Sequence, residues 1–455
     1  MNADPQPPSR LAKKPESLPA LAVLSFVAGA AAGLVGAVFR LVLVRADDCR
    51  NAAIAWTHGL SWLGVVSVTV VCAAAVAVAA WLVRRFAPDA SGSGIPHVEA
   101  VVRKELPPSP AQLIPIKFVG GILAIGSGLA LGREGPSVQM GASAAHLIGR
   151  LFRRDLPDSL ILLAAGAGAG LATAFNAPIA GAIFVLEELV RRFDTRTTIA
   201  TFGASTGAIA VSRLFLGDQP DFRVELQPYP AFATVPLYLA LGVVAGLLGV
   251  VYNVATLGAL AATDRLRRWP VELRAAAIGG LVGLLAWFHP GVVGGGEVIT
   301  QRTLAGTETV QWLLLVFVLR LALGAISYAA RTPGGLFAPL LVLGAQSGLL
   351  FGTLCAYWVP EAVVDPKALA VVGMAAFFTA AVRAPLTGIV LVTEMTANFT
   401  LLLPMLAACF VAMLVPTLLR NPPIYDSLRD LTVQADLAAQ RAEYSRRDDS
   451  SDGAQ

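Results

Sequence analysis

Runs such as Pro19–Val44, Ser61–Val83, Val235–Val254 and Gln311–Ala330 are almost free of charge. Each is long enough to cross a bilayer as a helix, which takes roughly 20 residues. The 455-residue length would allow about three soluble domains as a prior. The apolar excess rules that out: the chain is 56% hydrophobic and 14% charged, against roughly 45–50% and about 25% in soluble domains. The expected fold class is an all-α polytopic membrane protein.

The polar parts are short. Residues 1–18 carry four prolines and lack the apolar core of a signal peptide, and residues 431–455 read as a charged tail too short for a folded domain. Arg10, Lys13 and Lys14 precede the first run, Arg84 and Arg85 follow the second, and Arg420, Arg429, Arg446 and Arg447 follow the last. The positive-inside tendency then places both termini in the cytoplasm. The net charge of +4 reflects this topology, with no nucleic-acid patch. Cys49, Cys72, Cys355 and Cys409 have neither disulfide nor metal-ligand spacing, and His58, His97, His146 and His289 do not pair at helical spacing. No metal site, cofactor or nucleophile elbow is expected, and the chain does not read as an enzyme.

The sequence repeats internally. "GAGAGLATAFNAPIAGAIFVLEE" (Gly166–Glu188) and "GMAAFFTAAVRAPLTGIVLVTEM" (Gly373–Met395) align Gly166, Ala177-Pro178, Gly181 and Glu187 with Gly373, Ala384-Pro385, Gly388 and Glu394. Upstream of each, "GREGPSVQMGA" (Gly132–Ala142) and "GGLFAPLLVLGA" (Gly334–Ala345) place a proline five residues before a Gly-Ala pair. Two matches in the same order imply a duplication, with repeats near 61–216 and 233–418. Gly/Pro-interrupted apolar segments at matching positions of two halves are a transporter signature. Irregular backbone at membrane depth survives only when buried in protein or lining a cavity.

Three loops open helices at such places: "SGSGIP" (Ser91–Pro96), "GREGP" (Gly132–Pro136) and "GGLFAP" (Gly334–Pro339). Glycines let backbone approach closely, and proline suits a first helical turn. A plainer role for the glycines is close helix packing. Helix N-termini offer unpaired N–H groups and about half a positive charge each. Converging ends would hold an anion without a full cation, so that it can leave again.

"GSGIP", "GREGPSVQ", "GGLFAP" and the terminal "PPIYDS", in that order, resemble the CLC family of chloride channels and chloride–proton exchangers. The resemblance runs from about Pro19 to about Asp430 and is strongest to bacterial exchangers without CBS domains. It implies a bundle of tilted and broken helices with an inverted repeat, exchanging chloride for protons in the bacterial inner membrane as a homodimer with one pathway per protomer. By the same resemblance Glu134 is the gate and external proton carrier, and Glu188 the internal proton glutamate. Ser93, Tyr425 and the N–H groups of Leu336 and Phe337 bind chloride. The selectivity loops comprise Gly92, Gly94, Ile95 and Pro96, then Gly132, Arg133, Gly135 and Pro136, then Gly334, Gly335, Ala338 and Pro339. Serine rather than proline at position 93 speaks for chloride over nitrate. Glu188 has Met395 as its repeat counterpart, which fits a role acquired by one half only, whereas the matched Glu187 and Glu394 suit a structural one.

Two positions depart from the family pattern. Arg331 and Thr332 stand where relatives usually have small residues, and His97 stands where a glutamate is common and reads as an exposed loop residue. The competing functions are a passive chloride channel of the same fold, a membrane scaffold and a cation-coupled carrier. Glu188 argues against the channel, and a buried Glu134 amid helix openings argues against the scaffold.

Overall fold

The computed structural model describes residues 17–225, 227, 229–266, 268–358 and 365–452. Arg10, Lys13 and Lys14, with the rest of the chain before residue 17, lie outside these residues. So do residues 453–455 and the side chains of Arg446 and Arg447.

Seventeen α-helices make up the described chain, with no strand among them. The first eight are α1 (Leu18–Thr57), α2 (Trp62–Phe86), α3 (Ile95–Val102), α4 (Leu113–Gly126), α5 (Glu134–Leu151), α6 (Leu156–Phe175), α7 (Pro178–Phe184) and α8 (Thr195–Leu216). The next eight are α9 (Val235–Arg265), α10 (Val271–Phe288), α11 (Glu297–Ala305), α12 (Val310–Ala329), α13 (Phe337–Trp358), α14 (Pro366–Val382), α15 (Pro385–Thr396) and α16 (Leu402–Leu418). The last is α17 (Ile424–Asp452). Nine helices among the described residues are long and apolar enough to cross a membrane. The all-helical membrane bundle expected from the sequence is the fold observed.

The spans are longer than the apolar runs suggest. The run ending at Val44 continues as helix to Thr57, and the one ending at Val254 continues to Arg265. Some charged residues in these extensions find partners: Arg50 pairs with Asp47 at 2.6 Å on α1 itself, and Asp264 on α9 pairs with Arg331 at 2.7 Å. Apolar side chains such as Val71, Leu315, Leu403 and Phe410 face outward, as lipid or a partner subunit permits, with Trp56, Trp62 and Trp269 also exposed.

The centre is formed by α6 and α14, whose residues Leu162–Phe175 and Ala368–Val382 are buried throughout. Each leans on the helix before it at a glycine crossing. A Cβ on Gly141 of α5 would collide with the carbonyl of Gly166, and one on Gly344 of α13 would lie 2.5 Å from the carbonyl of Gly373. The same contact thus recurs in both halves. Both central helices also end alike: Asn176 and Arg383 adopt left-handed φ of 49° and 72°, and an Ala-Pro pair then starts the next helix. A left-handed residue closes one helix, and a proline, which needs no N–H partner, opens the next.

The glutamates of the repeat show how the halves face each other. Glu187, on the π-helical turn Val185–Leu189 that continues α7, accepts from the N–H groups of Leu386 (3.0 Å) and Thr387 (2.7 Å) at the start of α15. Glu394 on α15 accepts from Ile179 (3.1 Å) and Ala180 (2.8 Å) at the start of α7. Each carboxylate caps the other helix's N-terminus, where negative charge is favourable. Reciprocal contacts of this kind are what a two-fold relation between the repeats produces.

Candidate functional site

The three Gly-rich openings meet at one place. Gly92 N–H donates to Thr332 (3.2 Å) and Gly334 N–H returns a bond to Gly92 (3.1 Å). Gly132 and Gly335 exchange a pair of main-chain bonds at 2.9 and 2.7 Å. Gly135 packs so closely that a Cβ there would lie 2.7 Å from Ser93 Oγ. The positive φ values of Gly92 and Gly94 (61° and 83°) turn the first loop into α3. Pro96, Pro136 and Pro339 sit in the first turns of α3, α5 and α13, with Ile95 and Ala338 beside them.

Glu134 is fully buried where these loops meet. Its Oε1 accepts from Phe337 N–H at 2.7 Å, the first residue of α13, while Oε2 has no partner. A Cβ on Gly132 or Gly335 would occupy the space the carboxylate fills. The neighbouring Arg133 turns away, donating to Ala174 O (2.9 Å) and pairing with Asp221 (3.2 Å) and Glu297. A simple Arg133–Glu134 ion pair is therefore not what holds Glu134. Its charge is met by a helix N-terminus, as an anion's would be.

Two further donors lie close by. Ser93 and Tyr425 are fully buried, and their hydroxyls approach each other, yet neither has a hydrogen-bond partner of good geometry. Buried hydroxyls are as a rule hydrogen-bonded, so these two O–H groups remain available as donors at the meeting point of the loops. Tyr425, in the first turn of α17, lies 5.9 Å from the Phe337 ring, which also packs on Phe175, Phe184 and Phe378. This aromatic block fixes the start of α13 against α17. Leu336, just before it, is also fully buried. On one side a cavity of about 510 Å³, walled in part by Arg50, Asp221, Glu297 and Arg302, reaches Gly132 and Ala338.

Glu188 sits elsewhere, on the π-turn, and is buried. Its carboxylate lies 3.4 Å from Arg191, beside Glu99 and Asp426.

The structure corrects the reading of His97. It lies in the first turn of α3 and is only 7% exposed, with Nε2 2.7 Å from Ser109 Oγ. The helix begins two residues before it, so the ring lies inside the bundle instead of on a loop. Arg331, at φ 56°, forms a double contact with the Asp264 carboxylate at 2.7 and 2.8 Å. Its backbone carbonyl accepts from Ser91, so the residue helps fix the first loop.

Sequence reasoning passed over three charges. Lys117 is fully buried on α4 and donates to Ala90 O (3.0 Å) and Gly92 O (2.8 Å), pinning the Ser93 loop. Arg320, nearly fully buried on α12, donates to Gly294 O at 2.7 Å before α11. Glu99, on α3, is fully buried among arginines. Lys117 and Arg320 are lone charges inside apolar runs, a signal that marks a buried partner. Glu99 lies in a short helix flanked by charge and gives no such signal.

The model for the voltage-gated chloride channel family matches residues 74–417. A Cronobacter sakazakii protein named H(+)/Cl(−) exchange transporter ClcA is 38% identical over 431 residues, covering 92% of this chain and 91% of its own. A protein of the same name from Salmonella arizonae is 36% identical over 442 residues, covering 95% and 93%. The crystal structure of a slow cyanobacterial Cl−/H+ antiporter superposes with TM-score 0.86 at 31% identity, covering 91% of this chain and 98% of that one. A eukaryotic CLC transporter shares the fold at TM-score 0.76 and 24% identity, covering 91% and 74%. A polytopic bundle with this repeat, matched along most of its length, belongs to the voltage-gated chloride channel family, the CLC proteins.

Proposed function

We propose that this chain exchanges chloride for protons across the membrane, with Glu134 shared between the anion and proton routes. The observation that carries this reading is the Glu134 carboxylate, buried without a cation and bound by Phe337 N–H. A site that holds a carboxylate this way also suits chloride, so the two compete for it. When Glu134 takes up a proton its charge is gone, its hold on the helix end weakens, and it leaves carrying the proton while chloride enters. Ser93 and Tyr425 supply neutral O–H donors, and Leu336 and Phe337 supply N–H groups, strong enough to bind chloride and weak enough to release it.

Glu188 passes protons between the cytoplasm and Glu134. Its place on the π-turn, with Arg191 against its carboxylate and no loop N–H bound to it, supports a route separate from the anion's. The relatives named as chloride–proton exchangers support this over a passive channel. The protein works as a homodimer in the plasma membrane with both termini cytoplasmic. The exposed apolar residues Phe202, Leu386, Phe399 and Phe410, on and beside α8, α15 and α16, suit a subunit interface. Purified protein in sodium-free liposomes with a chloride gradient and a pH electrode tests exchange. Proton movement against its own gradient supports it, and chloride flux without protons contradicts it.

A further inference from the structure

We infer that Arg429 and Arg191 are positioning residues that tie the Ser93–Tyr425 constriction to Glu188, through the buried carboxylate of Glu99. The inference deepens the exchange reading and rests on it.

The geometry is compact. Glu99 lies on α3, the helix that opens just after Ser93, and its side chain is wholly buried. Three guanidinium groups approach its Oε1: Arg103 from the next turn of the chain (2.8 Å), Arg429 from α17 (2.8 Å) and Arg191 from beyond the π-turn (3.5 Å). Arg429 stands one turn after Tyr425, so the Glu99–Arg429 pair fastens the helix bearing Ser93 to the helix bearing Tyr425. Arg191 reaches the opposite way, with Nε donating to the Glu188 carbonyl (3.2 Å) and its outer nitrogen 3.4 Å from the Glu188 carboxylate. Asp426, the residue after Tyr425, closes the circuit by accepting from Arg191 (2.8 Å) and Arg429 (3.2 Å). Arg191 holds this position at φ 54°, backbone that a bulky side chain seldom adopts.

Ion pairs on a protein surface contribute little, but each partner of a buried carboxylate offsets part of its lost hydration, and removing one is strongly felt. Glu99 is of the second kind. Any shift of its carboxylate therefore moves both arms: the α3–α17 distance, which sets the gap between the Ser93 and Tyr425 hydroxyls, and the Arg191 head beside Glu188. The Ser93–Tyr425 constriction and the proton glutamate Glu188 thus share one set of charges. With the clamp cut, the constriction opens regardless of the state of Glu188, and chloride slips through without its proton.

The test compares the wild type, Arg429→Gln and Arg429→Lys in liposomes, reading chloride and proton fluxes together, with chloride affinity by calorimetry. Arg429→Gln is expected to raise the chloride-to-proton ratio about threefold or more, with affinity within about twofold, as loss of a buried partner implies. Arg429→Lys keeps a charge in place and should return the ratio most of the way to wild type. An Arg429→Gln ratio equal to wild type overturns the inference, including the case where both fluxes fall together as a merely structural role would produce. If Arg429→Gln does not purify folded, Glu99→Gln removes the shared carboxylate charge while keeping its shape, and the same rise or constancy of the ratio decides. A wild type that moves chloride without protons removes the exchange reading itself, and the coupling role with it.

Discussion

A carboxylate bound by a main-chain N–H behaves differently from one bound by arginine, because neutralising it releases a dipole and strands no buried cation. That is the position of Glu134, and it makes the surrounding neutral donors informative. Ser93 is the sharpest probe of them. Proline at 93 removes the hydroxyl, removes the N–H that meets the Tyr328 hydroxyl at 3.4 Å, and disfavours the left-handed Gly92 before it. Losing one hydrogen bond to a charged partner costs about 1.5–3 kcal/mol. Ser93→Pro should therefore shift preference from chloride towards nitrate by about tenfold, and Ser93→Ala by less. Reversal potentials in mixed chloride and nitrate gradients measure the shift, and an unchanged value in the proline variant removes Ser93 from the anion site. Glu188 gives a second residue-level prediction: Glu188→Gln should stop proton movement while calorimetric chloride affinity stays within about twofold, since no anion donor touches it. Collapse of affinity with coupling intact would reverse its assignment.

At the scale of elements, the bundle depends on helix ends and crossings that bring distant parts of the chain together. Glu394 caps α7 from the other repeat, and a carboxylate at a partly buried helix N-terminus contributes up to about 2 kcal/mol. Glu394→Gln should lower the thermal midpoint in detergent measurably, and Glu187→Gln should do the same; a midpoint unmoved in both means the caps are incidental. Gly344→Ala would press a methyl against the Gly373 carbonyl, and overpacking of this kind costs about 1–3 kcal/mol. The Gly-Pro openings were legible in the sequence because their residue types carry their own backbone preferences, and the repeat was legible because it preserved them. The lengths of α1 and α9 were not, since an apolar window ends where charges begin while the helix continues. The π-turn under Glu188 was hidden as well, because an altered hydrogen-bond register leaves no periodic mark. His97 was misread for a related reason: a short helix opening on glycines looks like a loop. The Glu99 cluster needed α3, α17 and the segment beyond α7 to meet, and no local pattern announces a meeting of segments more than three hundred residues apart.

For the whole molecule, the proposed exchange rests on one charged group serving both ions. Three loops from two repeats and a fourth contribution from α17 meet around Glu134, and a cavity of about 510 Å³ on one side reaches the neighbouring Gly132 and Ala338. Glutamine in its place keeps the shape of the protonated acid but can neither compete with chloride as an anion nor carry a proton. The most direct measurement is chloride-driven proton movement in liposomes holding either the wild type or Glu134→Gln. The wild type should drive protons against their gradient as chloride runs down, and Glu134→Gln should pass chloride with no proton movement at all. Proton pumping that survives in Glu134→Gln would contradict the account.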